Sequence, residues 1–264
     1  MRTAIYLILF IFISYSEILA QRSNKSAVEK LSKSVFEETT LTGLKFRSIG
    51  PAQTSGRVSD FAINPNNFKE YYVAAASGGV WKTVNAGTTY IPVFDEAGSY
   101  SVGCITMDPN NANVIWVGTG ENNNQRSVPY GDGVYKSIDG GETWKNMGLK
   151  SSEHIGKILV DPNNSNIIYV AAIGPLWSSG GERGVYKSVN GGETWRLMLG
   201  IDADTGINDL IMDPRDSQGI YAAAYQRRRH VFTYLGGGPS SGLHKSVDGG
   251  TTWVDINKGL PEVD

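Results

Sequence analysis

The sequence predicts an all-β protein built from repeated units of four antiparallel strands, and three observations carry that prediction. First, the stretch Ser137-Ile138-Asp139-Gly140-Gly141-Glu142-Thr143-Trp144 returns at 188–195 and 246–253, with a degenerate copy at 83–90. Its Asp/Asn position (Asn85, Asp139, Asn190, Asp248) recurs at intervals of 54, 51 and 58 residues, which is the self-similarity of a repeat architecture. Second, an apolar run ending in Asn-Pro or Asp-Pro precedes each copy, at Asn64-Pro65, Asp108-Pro109, Asp161-Pro162 and Asp213-Pro214. Third, 32 glycines and 10% aromatic residues accompany many short apolar runs, as in turn-rich β proteins. Four short strands per repeat is the pattern of a β-propeller. The spacing places blades at about 57–94, 101–147, 154–199 and 206–257.

Taken in chain order, residues 1–20 read as a secretory signal. Arg2 supplies the positive start, Ala4 to Ile13 is apolar, and Ile18-Leu19-Ala20 ends in a small residue before Gln21. The apolar run is short for a membrane span, so the mature chain is expected to be secreted or periplasmic, with no span after cleavage. Cys104 is the only cysteine, so stability must come from packing rather than an internal disulfide. Residues 21–43 form a polar leader with a short helix. Ser26 and Glu29 make a capping box there, and Val28, Leu31 and Val35 share one helical face. Phe46 lies 12 residues before Val58, as Tyr90 lies before Val102. Residues 44–49 are therefore expected to be an orphan fourth strand that closes a ring.

Within each blade the first strand runs into the Asn/Asp-Pro turn. The second strands are read at 71–75, 114–118, 167–172 and 220–224, and the third at 79–83, 133–137, 184–188 and 242–246. The fourth strands carry Tyr90, Trp144, Trp195 or Trp253. The segment from the motif aromatic to the next blade's first apolar residue is nearly constant, at 12, 11 and 12 residues. Length variation is confined to the connection between strands two and three. That connection and the four-to-one connection share one face of a blade, and the repeated motif occupies the other. Variable loops on a rigid scaffold are where function usually resides. Four blades is the bottom of the usual range, so a larger ring continuing past residue 264 is expected.

In the motif, the Asp/Asn side chain is expected to accept backbone N–H groups inside a turn, Gly to take positive φ, and Trp to fill the space between blades. Asn replaces Asp in two of four copies, which a hydrogen-bonded turn tolerates and catalysis or metal binding would not. The motif resembles the Asp-box, or bacterial neuraminidase repeat, of sialidases, family 74 xyloglucan hydrolases, sortilin-type N-terminal domains and propeller-type photosystem II assembly factors. The resemblance covers residues 44–264. It is nearest to secreted bacterial proteins named for sortilin N-terminal domains or glycosyl hydrolase repeats, which look similar at Phe46-Arg47-Ser48-Ile49-Gly50-Pro51, at Ser77-Gly78-Gly79-Val80-Trp81-Lys82-Thr83 and at Gly118-Thr119-Gly120-Glu121-Asn122-Asn123.

The resemblance implies two enzymatic expectations, and both meet departures. Sialidases carry a substrate-binding Arg in a Phe-Arg-Ile-Pro motif. The similar stretch here is interrupted, and its Arg47 falls in the expected closing strand. Family 74 hydrolases carry a catalytic Asp before the Gly-Gly of the first blade, where this chain has Ala76 and Ser77. Neither can act as a general base, and glycoside hydrolysis usually needs two carboxylates.

Net charge −2 gives no electrostatic reason for a nucleic-acid partner. No His/Cys cluster or phosphate loop calls for a metal or cofactor, and Asp202-Ala203-Asp204-Thr205-Gly206 lacks a full calcium ladder. Five residues before each turn Pro stand Asp60, Cys104, Lys157 and Asp209, near the variable-loop end of the channel. A Lys157–Asp209 ion pair is expected there, with a ligand-binding role for the two residues as the alternative. The loops add Glu121, Asn122, Arg126, Tyr130, Asp132, the exposed aromatic Trp177, and Arg57 and His154 ahead of first strands. Arg227 to His230 lies in the longest insertion. The expected function is a binding or assembly module for a peptide, protein or glycan, joined to downstream blades or domains. The alternative is a sialidase- or xyloglucanase-like glycoside hydrolase with a non-standard or incomplete carboxylate set, using Glu121 with Asp60 or with a carboxylate from further blades.

Overall fold

A computed structural model describes residues 56–123 and 128–260. The expected signal, leader helix, closing strand with Arg47, and Arg126 lie outside the described residues.

Four antiparallel sheets follow one another along the chain. The first holds β1 (Val58–Ile63), β2 (Tyr71–Ala75), β3 (Gly79–Thr83) and β4 (Ile91–Pro92). The second holds β5 (Val102–Asp108), β6 (Asn111–Thr119), β7 (Val134–Ser137) and β8 (Lys145–Asn146). The third holds β9 (Ile155–Asp161), β10 (Asn164–Ala172), β11 (Gly184–Ser188) and β12 (Arg196–Leu199). The fourth holds β13 (Thr205–Asp213), β14 (Asp216–Arg229), β16 (Gly242–Ser246) and β17 (Val254–Asp255), with β15 (Tyr234–Gly236) added to the extended end of β14. Strand order within each blade is sequential, and first strands pack on first strands: β1 on β5, β5 on β9, β9 on β13. These are propeller blades. Each blade-to-blade space holds its own apolar cluster. Tyr72, Phe94 and Ile115 fill the first, Trp116, Ile158 and Ile168 the second, and Tyr169, Ile207 and Ile220 the third.

The Asn/Asp before each turn proline accepts an N–H two residues on, from Asn66, Asn110, Asn163 and Arg215, at 2.8–3.0 Å. The repeated motif folds as a second, identical set of turns. Asn85, Asp139, Asn190 and Asp248 accept the N–H of Thr89, Thr143, Thr194 and Thr252 at 2.8–3.0 Å. The preceding hydroxyls of Thr83, Ser137, Ser188 and Ser246 accept the N–H of Gly87, Gly141, Gly192 and Gly250. Each fourth strand begins one residue after the motif aromatic, because the aromatic side chain is used for packing. Trp144 Nε1 donates to the Val93 carbonyl (2.6 Å) and Trp195 Nε1 to the Met147 carbonyl (2.7 Å), both on the preceding blade. Trp253 donates to its own Gly250, and Tyr90 pairs with Tyr71.

The motif also receives the preceding blade. The Gly140 carbonyl accepts the Tyr72 hydroxyl (2.8 Å) and Lys82 Nζ (3.2 Å), and the Gly249 carbonyl accepts Tyr169 (3.0 Å) and Lys187 (2.8 Å). Gly191 accepts Lys136, which lies 4.8 Å over the Trp116 ring. A strand-three lysine over a strand-two aromatic thus grips the next blade's turn. The turn is a brace between blades.

Its hydrogen bonds hold the carboxyls of Asp139 and Asp248 down at about 2, through Ser137 and Thr143 in one and Thr252 and Ser246 in the other. A carboxyl depressed on folding contributes stability above its unfolded pKa and loses it as pH falls through the folded value. The melting temperature will therefore fall between pH 4 and pH 2. Asp139→Asn will melt like wild type at pH 7, since Asn85 and Asn190 hold the same turn, with Nδ2 donating to the Thr hydroxyl where Asp139 accepts from it, and will have a shallower acid limb. A pH series of thermal melts checks this, and an unchanged acid limb would contradict it.

Candidate ligand site on the loop face

Each first strand carries a β-bulge near its start. The register against the second strand slips between Val58 and Asp60, Val102 and Cys104, Ile155 and Lys157, and Ile207 and Asp209. A bulge inserts one unpaired residue and re-aims its neighbours. Here the inserted residues are Ser59, Gly103, Gly156 and Asn208. Together with Asp60, Asn122, Lys157 and Asp209 they line a cavity of about 300 Å³. The two glycines are required by close approach. A Cβ on Gly103 would overlap the Ile155 and Gly120 carbonyl oxygens, and one on Gly156 the Asn208 carbonyl oxygen.

Lys157 Nζ pairs with Asp60 Oδ2 at 3.3 Å, not with Asp209. Asp60 is the better partner because its carboxylate is already aimed, accepting the N–H of Phe61 (2.9 Å) and of Ile105 on the next blade (3.2 Å). The thiol of Cys104 is buried in the core between blades and is pushed up to about 12 by burial. Burial acts to lower the Lys157 ammonium, but Asp60, Cys104 and Asp209 outweigh it and raise its pKa. Asp209 accepts the N–H of Leu210 (2.9 Å) and stands exposed. Asn122 closes the floor, donating to the carbonyls of Gly103 (3.0 Å) and Gly156 (3.4 Å).

The remaining candidates divide. Glu121 is not an open loop acid. It is 1% exposed, ion-paired with Arg57, and accepts Asn123 Nδ2 at 3.1 Å. His154 is likewise buried, and desolvation with the Arg227 and Arg183 charges lowers its pKa to about 3. Arg227 is no solvated loop residue, because β14 continues through Arg229 and pairs with β15. Arg227 is 1% exposed, while His230 is exposed beyond the strand end. Asp132 accepts the Tyr135 hydroxyl at 2.5 Å and braces its own loop. Tyr130 and Trp177 are exposed. Ala76, at the position of the hydrolase Asp, is buried and bonds backbone to backbone with Arg57. Sequence reasoning missed Ser59 and Asn208. The bulge that aims them was signalled only by their place before the charged positions.

No family model matches the chain. Over 210 residues it is 24% identical to the xyloglucanase Xgh74A of Acetivibrio thermocellus, covering 70% of this chain and 24% of that protein. It is 28% identical over 178 residues to a xyloglucanase of Hypocrea jecorina, covering 62% of this chain and 20% of that one. Among solved structures, an ancestral GH74 enzyme superposes with a TM-score of 0.62 at 22% identity, over 80% of this chain and 27% of that one. The chain spans about a quarter of the length of these relatives. The likeness in structure is one of fold.

Proposed function

We propose that this chain is a propeller module, exported by its leader and braced by Asp-box turns, that binds a glycan on the loop face. The observation that carries the reading is the bulge-lined cavity. It presents side-chain oxygens, amides and one ammonium from four blades, a set suited to the hydroxyls of a polyol. Its one ion pair occupies Asp60 and Lys157 and leaves Asp209 and Asn208 facing outward. The similarity to xyloglucanases makes a xyloglucan oligosaccharide the first ligand to test. Calorimetry on the full-length protein should detect saturable binding. Lys157→Ala and Asp209→Ala should each weaken it about tenfold, the worth of one charged hydrogen bond. Binding unchanged by both substitutions would place the ligand elsewhere, and no binding to any glycan or peptide tested would end the reading.

Hydrolysis is the second reading, favoured by the same similarity. It needs two available carboxylates. Within this chain Ala76 replaces one, and both Glu121 and Asp60 are held in ion pairs. Turnover of xyloglucan that is lost in Glu121→Gln while the fold persists would support it.

A further inference from the structure

A groove of about 630 Å³ opens between the first two blades at their outer strands. Its wall is Pro92 and Val93 of the first blade against Trp144 of the second. The half-buried indole is fixed by its Nε1 bond to the Val93 carbonyl (2.6 Å) and by the perpendicular Phe94 ring, with ring centres 5.0 Å apart. Asp95, Glu96 and Glu142 stand around this wall, and all three are exposed. Among the described residues, none of these carboxylates has an ion pair or a side-chain hydrogen bond.

The next interblade space shows which group suits this position. There Glu193, the counterpart of Glu142 in the repeated motif, receives Lys145 Nζ at 3.1 Å from the outer strand of the preceding blade. Lys145 stands opposite Lys136 in the register of β7 and β8. The same place in the first blade, opposite Lys82 in the register of β3 and β4, is held by Ile91. Glu142 therefore keeps the acceptor of the pair while the blade beside it supplies no donor. The two other acids are also particular to this space. Counted from the carbonyls that accept the tryptophans, Val93 and Met147, Asp95 and Glu96 stand where the second blade has Leu149 and Lys150.

We propose that this groove binds a lysine side chain presented by an extended segment of a partner protein. The ammonium takes the place that Lys145 fills in the next space, among Glu142, Asp95 and Glu96, and the methylene stem lies along Trp144. The groove is larger than one side chain, so the residues flanking the lysine rest on Pro92 and Val93. It shares no residue with the bulge-lined cavity of the first strands, and the proposal does not depend on the glycan reading.

Calorimetry on the full-length protein at low ionic strength tests this, with the peptide acetyl-Gly-Lys-Lys-Gly-amide, its Nε-acetylated form and D-glucosamine as probes. The lysine peptide should bind saturably. Acetylating its ammonium groups should weaken it at least about fivefold, because three carboxylates lose their cation at once. Ile91→Lys gives the first blade the ammonium that Lys145 gives the second. It should occupy Glu142 from within and weaken the peptide at least about fivefold. Ile91→Gln alters the same exposed side chain without adding charge and should bind the peptide like wild type. The proposal is overturned by no binding, by equal binding of the acetylated peptide, by unchanged affinity in Ile91→Lys, or by equal losses in the two variants. Glucosamine binding as tightly as the peptide would also overturn it, in favour of an amino sugar.

Discussion

Gly120→Ala will destabilise the propeller by about 3–4 kcal/mol, from left-handed strain plus a backbone collision. Gly120 follows β6 at φ +85°, and a Cβ there would overlap the Glu153 carbonyl oxygen and come within 2.9 Å of His154 Cα. Those atoms lead into the first strand of the next blade. Relief would require moving β9 away from β6, which opens the cluster around Trp116 and Ile155. The collision also falls between Glu121 and His154, so the loop face would deform with the core. Gly180→Ala is the control. It has a similar φ of +78° but nothing within 4 Å of a new Cβ, so it carries only the strain, about 1 kcal/mol. Urea unfolding of the two variants separates the effects, and equal losses would show that the interblade contact is unimportant.

Arg57→Ala will cost about 2 kcal/mol, because it strands the Glu121 carboxylate inside the protein. The exposures of the pair are 43% and 1%, so the damage comes from the acid left behind rather than from the lost Coulomb term at the surface. Asn123 Nδ2 remains as one donor to Glu121, which keeps the loss below that of a fully buried pair. Glu121→Gln in the Arg57→Ala background should recover about 1 kcal/mol, because a neutral amide is cheaper to bury unpaired. A double-mutant cycle by chemical denaturation measures this. No recovery would mean that Arg57 acts through packing alone. Full recovery together with unaltered ligand binding would assign Glu121 a structural role and remove it from the list of acids for hydrolysis.

Much of the blade was legible in the residues because its signals are local. Positions such as Asp161-Pro162 and Ser188-Val189-Asn190-Gly191-Gly192 specify turns through bonds spanning two to four residues. The strands between them follow, and 71–75, 79–83, 184–188 and 242–246 are bounded as the spacing predicts. The interchange of Asn and Asp at position 190 or 139 correctly marked a turn. What it did not reveal is that the Gly after it serves the preceding blade, since Lys136 and Gly191 are 55 residues apart.

The site was less legible, for the same reason of range. Lys157 had two acids at equivalent positions, and the neighbouring blade's Asp209 was the nearer in sequence. The bulges chose Asp60, two blades away, by aiming its carboxylate against the Ile105 N–H. Arg227 to Arg229 looked like a basic loop because no apolar period marks them. Pairing of β14 with β15 turned the run into a strand, put Arg227 inside and left Trp177 beside Arg229.

By itself, then, the sequence determined the repeat, the turns, the strand order and the absence of an acid at Ala76, all of which depend on residue type and short spacing. Tertiary structure alone decided which charges meet, which are buried, and which remain unpaired. Those outcomes depend on register slips of one residue and on packing between blades some fifty residues apart, and neither is written in the local chain.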